Sequence, residues 1–91
     1  MFKNPQIPAK ALYPFCRSMG RMLESGVEVR KSLKTCSAHS PDPRLTSTVG
    51  RIIKDIQKGD DLTSAFTNQG PHYPPLFLDL LSVGEQTGSM P

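Results

Sequence analysis

The sequence predicts an all-α fold, a small antiparallel helical bundle of about five helices. Three observations predict it. Apolar residues recur at three- and four-residue spacing in several windows. No stretch sustains the apolar–polar alternation of a strand. The nine prolines and seven glycines fall mostly between the periodic windows and cut the chain into helix-sized pieces.

The first helix is read from Ala9 to Ser25, with Leu12, Phe15, Met19, Met22 and Leu23 at helical spacing and Gly26 as its stop. Pro14 removes an amide donor and crowds the carbonyl of Lys10, so a kinked or two-part start is expected. The second helix runs from Glu28 to about His39 on an inner stripe of Val29, Leu33 and Cys36. Ser40-Pro41 ends it, because the residue before a proline is pushed away from helical angles. Asp42-Pro43 opens the third helix as N-cap and first-turn proline. Leu45, Val49, Ile52, Ile53 and Ile56 form its apolar face, and Lys58-Gly59 closes it. Asp60 or Asp61 caps a short fourth helix carrying Leu62, Ala65 and Phe66, broken by Asn68-Gln69-Gly70-Pro71. After the loop "PHYPP", Pro75 starts a fifth helix with Leu76, Phe77, Leu80, Leu81 and Val83 as its face and Gly88 as its end. The links are short, so neighbours should pack antiparallel.

The bulk numbers narrow the function. Ninety-one residues make one small domain, and 36% hydrophobic content without tryptophan gives a shallow core. A net charge of +3 suits an acidic partner or a membrane surface and falls short of a nucleic-acid footprint. Cys16 and Cys36 are too few for a disulfide framework, and no signal peptide is present, so a reducing cytosolic setting is expected. The longest apolar runs are a few residues, against about 20 for a bilayer span. The chain itself is therefore expected to be soluble, which leaves its parent protein open.

Three stretches carry a resemblance. "FCRSMGRMLESGVEVRKSL" matches an opening of the form F-x-R-x-(apolar)-x-x-(apolar)-(apolar)-x-x-G-(apolar). "VGRIIKDIQKGDDLTSAF" matches a centre of helix-Gly-(polar)-x-Leu-x-x-Ala. "YPPLFLDLLSVGEQTGSM" matches an ending of aromatic-Pro-Pro, then Gly-Glu-x-x-Gly-x-(apolar). In this order, from about Leu12 to Met90, they resemble the cytoplasmic domain of the platform protein F family of type II secretion systems and type IV pilus machines. Two departures stand out. Pro14 directly precedes Phe15, and Gly20 sits mid-helix at a cost of about 1 kcal/mol relative to alanine.

The resemblance implies that residues 1–91 are a single cytoplasmic domain, a fragment of a multi-pass inner-membrane protein. A further helix and then a transmembrane span follow in the family, so the bundle is expected to lack its final helix. The implied function is non-enzymatic: to couple a cytosolic assembly ATPase to pseudopilus or pilus assembly, at the cytoplasmic face of the bacterial inner membrane. The implied partners are that ATPase and other inner-membrane subunits. Apolar residues such as Met90, Leu76 and Phe77, uncovered by the absent helix, would favour a homodimer.

The same resemblance implies that Gly84 permits close helix approach while Glu85 pairs with Arg17, both largely buried, as a register device. Gly26, Gly59, Gly84 and Gly88 are then the backbone determinants. A solvated Glu85 at a helix end is the plainer alternative. Catalysis at Glu85 lacks a second group on its face, since Asp79 lies six residues earlier. A metal there lacks ligand spacing.

Cys36-Ser-Ala-His39, even with Cys16 and His72, lacks the paired spacing of a zinc site, and neither an oxyanion site nor an orienting group marks a Cys–His nucleophile. No phosphate-binding glycine motif occurs, and no cofactor is expected. Arg51, Lys54 and Lys58 recur on one side of the third helix, and Arg30, Lys31 and Lys34 cluster on the second. Solvated faces explain them most simply. The functional reading is a docking surface for an acidic protein or anionic headgroups, with Arg51, Lys54 and Lys58 as the partner-binding residues. Nucleic acid is not expected as a partner of the platform domain. It enters only through a competing class, a free-standing basic helical module that binds nucleic acid or anionic membrane.

Overall fold

A computed structural model describes residues 6–87, with side chains as far as Val83. Its elements are α1 (Ala9–Glu24), α2 (Val29–Ala38), α3 (Pro43–Gln57), α4 (Leu62–Thr67), a single 3₁₀ turn (Gly70–His72) and α5 (Pro75–Thr87). The described residues contain no strand. The fold is the small all-α bundle that the apolar spacing predicts. No helix among these residues is long and apolar enough to cross a membrane.

Local chemistry sets most boundaries. α1 runs through Pro14 as one helix, so of the kinked or two-part start expected there the two-part form is ruled out. Pro14 is exposed, so water can satisfy the carbonyl that its missing amide leaves free. The helix ends where the Val27 amide donates to the Met22 carbonyl at 3.0 Å, with Gly26 at φ 87°. That six-to-one closure requires a left-handed residue, which glycine adopts without strain. α3 ends the same way, through Asp60 N–H to Asp55 O at 3.0 Å and Gly59 at φ 113°. Three carboxylates cap helix starts. Glu28 accepts from Arg30 N–H, Asp42 from Arg44 N–H and Asp61 from Ser64 N–H. Asp61 is thus the cap of α4, one of the two residues the sequence left open.

The principal helix contacts run in chain order, α1 with α2, α2 with α3, α3 with α4, and α4 with α5. The core gathers one stripe from each helix. Leu12, Phe15 and Met19 come from α1, Leu33 and Cys36 from α2, Leu45, Val49 and Ile52 from α3, Ala65 and Phe66 from α4, and Leu81 from α5. Two residues of the hydrophobic core come from outside these helices. Ile7 is 1% exposed and Tyr73 2% exposed.

α5 corrects the sequence reading. Leu80 and Val83, placed on its inner face, are 64% and 56% exposed; Leu76 is 70% exposed, as expected of an uncovered residue, whereas Phe77, expected to be uncovered with it, is not. The buried side holds Leu81, with Phe77 and Leu78 packed against the core. The helix has apolar residues on two sides and one principal neighbour, so one apolar side is left in solvent.

Candidate functional site

The third-helix cations are the leading docking candidates, and their surroundings are mixed. Arg51, Lys54 and Lys58 are all exposed. Arg51 is tied back to the domain. Its Nε donates to Gln69 Oε1 at 2.8 Å and its Nη1 to Ser47 Oγ at 3.4 Å. Gln69 is buried and donates from Nε2 to the Ala65 carbonyl at 3.3 Å. Arg51 therefore braces the end of α4 as well as facing solvent. Lys54 lies in the last turn of α3 and Lys58 is its C-cap, both near the negative end of the helix dipole. Carboxylates border them. Asn68 Nδ2 bridges Asp55 Oδ2 at 3.4 Å and Asp60 Oδ2 at 3.3 Å. Such a surface orients an approaching charged partner more than it holds one.

Arg17 was expected to be largely buried against Glu85. It is exposed, on the side of α1 away from Phe15 and Met19, and its guanidinium carbon stands 5.8 Å from the Tyr13 ring centroid. Gly84 and Glu85 fall within α5, but their side-chain surroundings lie outside the described residues, and so does Gly88.

The more enclosed ion pair is one the sequence reading missed, Arg44 with Asp42. Arg44 Nη2 donates to Asp42 Oδ2 at 2.7 Å and Nε to Oδ1 at 3.0 Å, a fork-on-fork geometry. Nη1 reaches the Gln6 carbonyl at 2.9 Å. The carboxylate side chain is only 10% exposed. The Arg44 side-chain hydrogen bonds hold the Asp42 carboxyl below its ordinary value. Asp-Pro-Arg at a helix start was the available signal, since a cap at Asp42 brings the residue two places on within reach.

A second buried group fixes the loop between α4 and α5. Thr48 Oγ1 lies 2.7 Å from both the Arg44 carbonyl and Tyr73 Oη. A threonine hydroxyl has one proton. Given to the carbonyl, it leaves the oxygen to accept from Tyr73. The Tyr73 ring meets Phe66 edge-on at 4.8 Å and stacks on Phe77 at 5.4 Å. Burial pushes its hydroxyl up to about 12. On the other side of the loop, Ile7 N–H donates to the His72 carbonyl at 2.7 Å.

Neither cysteine is an activated thiol. Cys16 is exposed as a residue, but desolvation of its thiol by burial pushes it up to about 11. Burial raises Cys36 as well, and its Sγ lies 3.5 Å from Met22 Sδ, a soft packing contact. Thiolate chemistry needs the opposite shift. Among the described residues no three His, Cys, Asp or Glu side chains gather where they could hold a metal ion.

Comparison with known proteins gives two matches. The family model described as "Type II secretion system (T2SS), protein F" matches residues 15–91. The chain is also similar to the "Type IV pilus assembly protein TapC" of Aeromonas hydrophila, with 27% identity over 74 residues. That alignment covers 81% of this chain and 18% of the relative.

Proposed function

The chain belongs to the type II secretion system protein F family, and we propose that it is a non-enzymatic cytoplasmic docking domain of an inner-membrane platform protein. In this reading it transmits the motion of a cytosolic assembly ATPase to the membrane part. The membrane part in turn helps add pilin-like subunits to a pilus or pseudopilus. Cytoplasmic segments of neighbouring inner-membrane subunits would share the contact.

The observation that carries the reading is the family match, which spans α1 from Phe15 through α5. The name of the Aeromonas relative supports a place in filament assembly. The chemistry supports binding over bond making. Burial raises both thiols, away from thiolate chemistry, and the cations of α3 face solvent, where they can steer an acidic partner.

The test is the association rate between this chain and the assembly ATPase of the same organism, followed at low and high salt. Lys54→Glu with Lys58→Glu should slow association about tenfold at low salt and flatten its salt dependence. Arg51→Gln belongs in a separate variant, because it also breaks the Gln69 bond. Rates unchanged by the lysine reversals would move the contact off α3. Absence of ATPase binding at any salt would overturn the coupling role.

A further inference from the structure

The charges of this chain are sorted along its length. Residues 1–58 carry all eleven lysines and arginines against four carboxylates, and residues 59–91 carry four carboxylates and neither lysine nor arginine. The two parts have formal charges of +7 and −4, a separation that the net +3 conceals.

The fold displays part of that positive charge on α1 and α2. Lys10, Arg17 and Arg21 are exposed, and their spacing places them along one line of α1. That line is opposite the buried Phe15 and Met19. Lys31 and Lys34 are exposed on α2, away from the buried Leu33 and Cys36. The two helices pack against each other, so five cations stand on the outer sides of neighbouring elements. The carboxylates of this helix pair are Glu24, exposed in the last turn of α1, and Glu28, which Arg30 engages at 3.1 Å. Tyr13 is 65% exposed and lies beside Arg17. The acidic residues Asp60, Asp61 and Asp79 are exposed on or next to α4 and α5, whose principal contacts are with α3 and with each other.

We propose that the outer face of α1 and α2 is a docking surface for the anionic headgroups of a lipid leaflet. A folded acidic protein would be recognised through a desolvated apolar anchor at the centre of the contact. The only large apolar side chain fully displayed on these described helices is Tyr13. Its amphipathic ring is of the kind that settles at headgroup level. A leaflet makes no demand for shape. It attracts each cation on its flexible stem independently, within a screening length. The charge separation also sets orientation, because the leaflet draws in α1 and α2 and repels the carboxylates of residues 59–91. The inference stands apart from the ATPase reading, and its test contains no ATPase.

The test is co-sedimentation of this chain with vesicles of phosphatidylcholine, pure or with about one third phosphatidylglycerol. Binding to the anionic vesicles alone is expected, falling about tenfold or more between about 50 and about 300 mM salt. Arg21→Gln, Lys31→Gln and Lys34→Gln together should weaken partition about a hundredfold, or about fivefold per cation. Lys31→Arg with Lys34→Arg should retain it. The control is Arg51→Gln, Lys54→Gln and Lys58→Gln, which lowers the net charge equally and should change partition less than about threefold. All substituted side chains are exposed; because Arg51→Gln also breaks the Gln69 bond, circular dichroism and thermal melts verify the fold of each variant, and Lys54→Gln with Lys58→Gln alone serves as the parallel control. Equal losses from the two triple variants would overturn the proposal, since attraction would then follow net charge alone. So would absence of binding to the anionic vesicles. Capture of poly-glutamate through the α1–α2 cations without vesicle binding would assign the face to an acidic protein instead.

Discussion

The hydroxyl of Tyr73 donates to Thr48, and Thr48 has given its own proton to the Arg44 carbonyl. The two ends of this bond are therefore unequal. Tyr73→Phe removes one donor and leaves the threonine proton satisfied, so the expected loss is about 1 kcal/mol. Thr48→Val removes the acceptor and strands a buried phenol, so it should cost more, about 1–3 kcal/mol. Urea unfolding of both variants checks the order, and a reversed order would reverse the assignment of donor. Arg17 belongs at this scale too. With its guanidinium exposed over Tyr13, Arg17→Ala should shift stability by no more than about 0.5 kcal/mol. A loss above about 2 kcal/mol in the same urea assay would instead support burial against Glu85. Tyr73 was not legible in the sequence. "PHYPP" reads as a loop by its prolines, and the groups that bury the ring come from Thr48 and Phe66, beyond any local window. The burial expected of Arg17 is not seen, for a different reason, while its pairing with Glu85 lies outside the described residues. A motif suggests a partner, but the helical phase of Phe15 and Met19 already put Arg17 on the opposite side.

Among the elements, α3 was readable almost residue by residue. Asp42-Pro43 and Lys58-Gly59 act within one turn of themselves, so no distant contact was needed to find its ends. α5 was harder, because its spacing supports two apolar faces. Only the position of α4 decides that Leu81 goes in while Leu76, Leu80 and Val83 stay out. Two glycines allow a direct comparison. A methyl at Gly50 in mid-α3 would meet nothing within 4 Å, and its φ is ordinary. Gly50→Ala should therefore stabilise by about 0.5–1 kcal/mol through helix propensity. Gly59→Ala has equal space but a φ of 113°, and should destabilise by about 1–2 kcal/mol. Thermal melts will show opposite shifts if the backbone account holds. The caps make stability depend on pH. Hydrogen bonds lower the carboxyls of Glu28, Asp42 and Asp61 below their ordinary values, chiefly those from the Arg30 amide, the Arg44 side chain and the Ser64 amide. Depressed carboxyls stabilise fully above their unfolded values and lose that contribution as pH falls toward the folded ones. The melting temperature should hold down to about pH 5 and decline below about pH 4, and Asp42→Asn should make the decline shallower.

At the scale of the molecule, the helices touch mainly in chain order. A row of this kind has two loose ends and can unravel from either, as repeat proteins do. Ile7 changes that. Its amide holds the His72 carbonyl, its side chain is 1% exposed, and the neighbouring Gln6 carbonyl accepts from Arg44. The first described residues are thereby fastened to the connection before α5 and to the start of α3, which converts the row into a closed circuit. Closing so long a loop is entropically unfavourable and slows folding. Once closed, none of the elements from α1 to α4 can peel away alone. The Ile7 amide should then exchange its hydrogen only through global opening, as slowly as the amides of Ile52 at the centre of α3. Faster exchange at Ile7 by native-state hydrogen exchange would mean that the latch lifts by itself. If the latch holds, a pull applied at the leading end of this domain reaches α3 and the α5 connection together, and α1 to α4 share the load instead of yielding one at a time.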